Sequence, residues 1–151
     1  MLLSTENILT EYKSILAVKD EASLRKLSVT CVSFANAQGG RIVVSIEDKD
    51  GKPPTSQIIL TKLINKVITT LRTLCFNVEL AAGEIENHLN GGQYFIITIH
   101  PSLKSIATTS DGKIYIRIGD QCQAARSEDI YLFLVKKMLF SGNCNQEMTY
   151  L

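Results

Sequence analysis

The sequence predicts an α+β domain in which a mixed, largely antiparallel sheet packs with about three helices. Two observations predict this class. Helical periods alternate with β-branched runs in the first half of the chain, and short alternating strands precede a closing helical segment in the second half. With 151 residues, 45% of them hydrophobic, the chain has the size and apolar content of one domain with a core.

The first predicted elements are a short strand and a helix. Residues 11–15 alternate as a strand does, and Lys19 with Asp20 provides the break and the helix-start chemistry. The apolar residues of the helix repeat on one face: Leu24, Leu27, Cys31, Phe34 and Ala35. Residues 36–40 end the helix, because glycine adopts left-handed dihedral angles without penalty and close helix-to-strand packing leaves no room for a Cβ.

A covered strand and a second helix follow. Residues 41–46 form a β-branched run that ends in an acidic turn. Thr55 or Ser56 is predicted to cap the second helix. The buried stripe of this helix is predicted to be Leu60, Ile64, Val67, Leu71 and Leu74.

The rest of the chain is predicted to be β-rich until a final helix. Residues 76–82 alternate, residues 90–92 make a hairpin turn, and residues 94–100 return as a strand. A further strand pair is predicted around Asp111 and Gly112. The closing helix, capped by Ser127, extends to Met138. From Ser141 onward no period is visible, so the predicted domain is 1–140, with a tail at 141–151 that is disordered or forms an interface.

Composition limits the classes of function. The chain has 16 basic and 15 acidic residues, a net charge of +1, so binding to a polyanion would depend on where the charges lie. No secretory leader or membrane-spanning segment is visible, which predicts a soluble, cytoplasmic protein. Its four cysteines have neither zinc-site nor disulfide-framework spacing: Cys31, Cys75, Cys122 and Cys144.

Four motifs occur in a defined order along the chain. They read Glu6-x4-Glu11-Tyr12-Lys13, then FANAQGG at 34–40, IED at 46–48 and YIRIG at 115–119. In order and spacing they resemble the Schlafen AlbA-type domain, over almost the whole chain up to the last helix. The resemblance implies a Schlafen AlbA-like fold and contact with nucleic acid.

The resemblance also implies a metal site. In nucleolytic Schlafen proteins, carboxylates matching Glu6, Glu11 and Asp48 are the proposed metal-binding catalytic set. Carboxylate oxygens bind Mg²⁺ or Mn²⁺, which can activate a water for attack on phosphate. The alternative is structural: Glu6 lies at a solvated end, Glu11 pairs with Lys13 or another cation, and Asp48 is an ordinary turn acid.

A second candidate site is basic and aromatic. In residues 113–118 the three isoleucines take one strand face, and Lys113, Tyr115 and Arg117 take the other. That face is suited to phosphate contact and base stacking, and Lys13 and Arg41 are candidate additions to it. The alternative is a polar outer face with Tyr115 half-buried and Arg117 paired to a carboxylate.

Other chemistry lacks a candidate in the sequence. No G-x-x-x-x-G-K-[ST] motif occurs, so P-loop ATPase activity is not expected. No nucleophile elbow is visible, and His88 and His100 are isolated.

Three functions therefore stay open. The first is a nucleic-acid-binding domain of a bacterial-type transcriptional regulator that works as a homodimer, with DNA and RNA undistinguished. The second is a metal-dependent endoribonuclease that uses Glu6, Glu11 and Asp48. The third is a protein-interaction or assembly domain.

Overall fold

The computed structural model describes residues 9–47 and 50–149, with side chains up to Leu139, and confirms the α+β class. The main sheet contains five strands: β1 (Thr10–Lys13), β2 (Gly40–Val44), β4 (Glu79–Ala82), β5 (Glu86–Asn87) and β6 (Gln93–His100). Its order is β1-β2-β6-β4, with β5 also paired to β6. Only the β1–β2 pairing is parallel within this sheet of the described chain.

Two helices cover one face of the sheet. They are α1 (Glu21–Ala35) and α2 (Thr61–Leu74). The core lies between these helices and the inward-facing residues of β2, β4 and β6. Its largest fully buried side chains include Phe34, Ile42, Leu71, Phe95 and Ile97. The period-2 and period-3.6 apolar patterns of the sequence thus meet in one core.

Both ends of α1 follow the predicted chemistry. Asp20 is the N-cap, and its carboxylate accepts a hydrogen bond of 2.8 Å from the Ser23 amide. At the other end Gly39 has a φ of +80°, and a Cβ there would lie 2.6 Å from the Ile99 carbonyl oxygen. A Cβ on Gly40 would lie 2.5 Å from the Phe34 ring. Both glycines are therefore required by helix termination and by close packing.

The predicted start of α2 is wrong. The helix begins at Thr61 rather than after Thr55 or Ser56, and Leu60, predicted to be buried, is 64% exposed. The cause is a long-range contact: the Gln93 side-chain oxygen accepts a hydrogen bond of 2.8 Å from the Ile59 amide. Ile59 is buried and precedes the helix as extended chain.

Two further strand pairings complete the described fold. The short strands β3 (Cys75–Phe76) and β7 (Thr108–Thr109) pair with each other, and β8 (Tyr115–Ile118) pairs with β9 (Gln121–Ala124). The predicted strand pair around Asp111 and Gly112 is therefore wrong, because β7 and β8 flank that turn but pair elsewhere. The β8–β9 turn instead contains Gly119, with a φ of +64°.

The last helix is longer than its sequence period indicates. Helix α3 (Ser127–Thr149) continues beyond Met138, where the predicted helix ended. The Asp129 carboxylate closes its first turn by accepting a hydrogen bond of 2.8 Å from the Arg126 amide. Within the described ranges, no helix has the length and apolar character needed to cross a membrane.

Candidate functional site

Glu11 lies at the centre of an ion cluster. In the β1–β2 register Glu11 stands beside Ile42 and Lys13 beside Val44, so both side chains project from the helix-covered side of the edge strand. One Glu11 oxygen lies 2.9 Å from Arg117 Nη1 and the other lies 3.0 Å from Lys13 Nζ. We call Glu11, Lys13 and Arg117 the Glu11 cluster. Its net charge is positive, since two cations share one carboxylate.

Arg117 joins three parts of the fold. Its side chain is only 8% exposed. The guanidinium carbon lies 5.0 Å from the centroid of the Phe34 ring on α1, a cation–π geometry. Nη1 also lies 3.6 Å from Cys122 Sγ, and that sulfur lies 3.0 Å from the buried Ser33 Oγ. Arg117 thereby connects the β8–β9 hairpin to α1 and β1.

The electrostatics of Glu11 follow from these contacts. Burial acts to raise the pKa of Glu11, but the hydrogen bonds and charges of Lys13 and Arg117 outweigh it and hold the pKa below its ordinary value. Burial likewise acts to lower the pKa of Arg117, and the bonds to Glu11 and Cys122 raise it above its ordinary value. The Glu11 carboxylate is therefore ionised, and both of its oxygens are bound by cations.

The stability supplied by the Glu11 carboxylate should be lost in acid. Because its folded pKa lies below the ordinary 4.5, this stability is present above pH 4.5 and disappears as the pH falls through the folded pKa. We expect Glu11→Gln to lower the free energy of unfolding at pH 7 by about 1 to 3 kcal/mol. Urea titrations at stepped pH should show the difference from the unsubstituted protein closing below pH 4.5. A pH-independent difference would contradict this account, and Glu86→Gln, at an exposed residue of β5, is the matched control.

Asn36 has a role beyond ending α1. It is 7% exposed, and its amide nitrogen donates to the carbonyl oxygens of Ala107 and Tyr115, each at 3.0 Å. Its amide oxygen accepts from the Ala107 amide at 2.8 Å. The side chain thus holds both the segment before β7 and strand β8. The backbone amides of Ala37 and Gly39 donate to the Phe34 carbonyl, so they are not free to bind an anion.

Of the predicted basic–aromatic face, Lys113 is exposed, whereas Tyr115 and Arg117 are partly buried. Lys113 precedes β8, where its ammonium lies 4.0 Å from Asp111. Tyr115 packs against the core and Arg117 is bound to Glu11, so this side of β8 faces inward. As the alternative interpretation predicted, Tyr115 is partly buried and Arg117 is paired with a carboxylate. This face of β8, however, points inward rather than outward.

Arg41 lies away from the Glu11 cluster. It pairs in register with Thr10 and Thr98, on the opposite face of the sheet from Glu11. Its Nε is buried without a hydrogen-bond partner in the described structure. The structure therefore brings Lys13 and Arg117 together and leaves Arg41 and Lys113 apart from them.

A cleft lined by lysines adjoins the Glu11 cluster. It has a volume of about 340 Å³, and its cationic lining residues are Lys13, Lys19 and Lys26. Ser14 and Ser23 also line it, and its lining among the described residues contains no carboxylate. We call it the lysine cleft. The sequence interpretation missed Lys19 and Lys26, because Lys19 lies before the helix and no helical period relates it to Lys26.

The predicted metal ligands are only partly described. Glu6 and Asp48 lie outside the described residues. Glu11 does lie on a strand adjacent and parallel to β2, the strand that precedes Asp48. Among the described residues, no group of three histidine, cysteine, aspartate or glutamate side chains could hold a metal ion. In the described structure both oxygens of Glu11 are bound by cations, and a metal site formed with Glu6 and Asp48 stays a prediction.

Comparisons with known proteins agree with the family resemblance. The model of the family described as Schlafen, AlbA_2 matches residues 6–126. Among solved structures, the crystal structure of the DIP2311 protein from Corynebacterium diphtheriae is similar, with a TM-score of 0.58 and 20% sequence identity. The alignment covers 80% of this chain and 25% of that one, so this chain spans about a quarter of the DIP2311 chain. No curated protein gave a significant match.

Proposed function

Because this chain belongs to the Schlafen AlbA_2 family, we propose that it is a nucleic-acid-binding domain that contacts phosphates at the lysine cleft. The observation that carries the proposal is the convergence of Lys13, Lys19 and Lys26 on one cleft. A phosphate backbone is recognised first by local positive charge, and its oxygens accept hydrogen bonds from ammonium groups.

The charge distribution favours this cleft over the rest of the surface. The whole chain carries only +1, so its average field attracts a polyanion weakly. In the cleft, Lys19 and Lys26 are exposed. The Asp20 carboxylate interacts with the charges of both, and the Glu11 cluster adds a net positive charge beside them. Arg117 acts here as a positioning residue: it shares the Glu11 carboxylate with Lys13 and so leaves one unit of positive charge at the cleft.

Neutralising the exposed lysines of the cleft should weaken binding and reduce its salt dependence. For Lys19→Gln/Lys26→Gln we expect roughly tenfold or greater loss of affinity at low salt. The slope of log K against log salt should become less steep by about 1.8, because each phosphate contact contributes about 0.9 on duplex DNA. Fluorescence anisotropy with labelled single-stranded DNA, duplex DNA and structured RNA measures both quantities.

The matched control is Lys62→Gln/Lys66→Gln, which removes the same charge from the exposed side of α2. Equal losses in the two double variants would show that net charge, not the cleft, governs binding. Absence of binding by the unsubstituted protein at low salt would refute the proposal. Preference for duplex DNA would support a role within a transcriptional regulator.

The same RNA provides a test of cleavage. We propose binding without cleavage, since both oxygens of Glu11 are held by cations. Structured RNA is incubated with Mn²⁺ or Mg²⁺ and the unsubstituted protein, Glu11→Gln or Asp48→Asn. Cleavage that both substitutions abolish would replace this proposal with a metal-dependent endoribonuclease. Equal traces of degradation in all three samples would indicate a contaminant.

A further inference from the structure

The outward face of α3 is apolar where a helix on a globular domain is ordinarily polar. The large side chains on it are between 49% and 70% exposed: Tyr131, Leu132, Leu134, Met138 and Leu139. With 100° of rotation per residue, these five side chains lie within an arc of about 160° around the helix axis. We call this set the α3 stripe. Contiguous exposed apolar surface of this kind marks a site of association rather than a solvated surface.

The side of α3 that faces the domain does not cover the α3 stripe. Leu132, Phe133 and Lys136 line an open groove of about 710 Å³ between the helix and residues such as Asn36 and Ile116. The Lys137 ammonium donates to the Ser102 carbonyl oxygen. Lys137 thus faces the domain, whereas Leu132 and Lys136 lie at the boundary between the groove and the stripe, where a neighbouring helix can reach them.

We propose that the α3 stripe is the contact surface with a second copy of this chain, through antiparallel pairing of the two α3 helices. The charges on the helix favour this occupant and this orientation. Glu128, in the first turn, and Lys136 are both exposed and lie about 12 Å apart along the axis. An antiparallel crossing near Leu132 places Glu128 of each copy beside Lys136 of the other, whereas parallel pairing aligns like charges.

The size of the stripe fits a small two-fold interface. The exposed fractions of its five side chains amount to roughly three whole side chains, or on the order of 600 Å² per copy at about 200 Å² each. Two copies then bury about 1,200 Å², the lower end of the range for stable complexes. In a two-fold dimer the same surface of each copy is buried against that of the other, so assembly stops at two copies.

This inference does not rest on the proposed function. Helix α3 begins at Ser127, after the last residue that matches the family model, and none of its side chains described up to Leu139 lines the lysine cleft. Loss of self-association and loss of nucleic-acid binding can therefore be distinguished with separate variants.

Light scattering after size-exclusion chromatography tests the pairing. The unsubstituted protein is expected at twice its chain mass of 16.7 kDa. Tyr131→Glu/Met138→Glu should weaken self-association by at least about a hundredfold, because association would bury four unpaired carboxylates per dimer. Its circular dichroism spectrum should match that of Leu89→Glu, a control at a fully exposed apolar residue outside the stripe.

Charge exchange tests the orientation. Glu128→Lys and Lys136→Glu should each weaken the dimer, and the combination of both substitutions should restore it. A monomeric unsubstituted protein at high concentration would overturn the proposal, whichever other partner the stripe then serves. A dimer that survives Tyr131→Glu/Met138→Glu would also overturn it, since the contact would then lie elsewhere.

Discussion

Asn36→Ala is expected to lower the free energy of unfolding by about 3 to 5 kcal/mol, because it leaves buried backbone groups without partners. The Ala107 amide and carbonyl and the Tyr115 carbonyl all bond to this side chain. Ala107 is fully buried, so water does not readily replace the amide there. Urea denaturation followed by circular dichroism at neutral pH measures the change.

The control is Asn65→Ala at an exposed position of α2, which should change the free energy of unfolding by less than about 0.5 kcal/mol. Asn36→Asp should be nearly as harmful as Asn36→Ala, because a carboxylate can accept from Ala107 but cannot donate to it or to Tyr115. A loss below about 1 kcal/mol for Asn36→Ala would show that these hydrogen bonds are replaced in the variant.

Only part of the role of Asn36 could be predicted from the sequence. Residues 36–40 could be predicted to end a helix because the rule is local: glycine dihedral angles and Cβ clearance depend on near neighbours. The bonds from Asn36 to Ala107 span 71 positions, and no local pattern contains them. The start of α2 was missed for the same reason, since the Ile59–Gln93 bond spans 34 positions.

The residues that form the candidate site could be predicted from the sequence better than their arrangement. The motifs named Glu11, Lys13 and Arg117, which the structure brings together. Alternation in β8 gives two faces but does not say which one faces inward. Tertiary contacts decide that, through the Phe34 ring and the Glu11 carboxylate. Lys19 and Lys26 were missed because a sequence without a strong net charge gives no reason to select particular lysines.

Arg117→Met should lower the free energy of unfolding by about 2 to 4 kcal/mol, somewhat less than the loss of a fully buried ion-pair partner. The expected loss is smaller because Glu11 keeps Lys13 at 3.0 Å and is itself 21% exposed, so its charge stays partly paired and partly solvated. Methionine retains apolar contact with Phe34 but supplies neither hydrogen bonds nor positive charge. Arg117→Lys should recover part of the loss, because a single ammonium cannot reproduce the contacts to Glu11, Gly119 and Cys122 together.

A double-mutant cycle separates the ion pair from the other contacts of Arg117. Because Glu11→Gln removes the carboxylate that Arg117→Met strands, the combined variant should lose less stability than the sum of the single losses, by about 1 to 3 kcal/mol. Strict additivity would mean that Arg117 acts through Phe34 and the hairpin alone. Since Arg117 offsets the charge that Glu11 places beside Lys13, Arg117→Met should also weaken nucleic-acid binding under conditions where the variant is fully folded. Unchanged affinity there would remove Arg117 from the proposed site and leave it a structural cross-link.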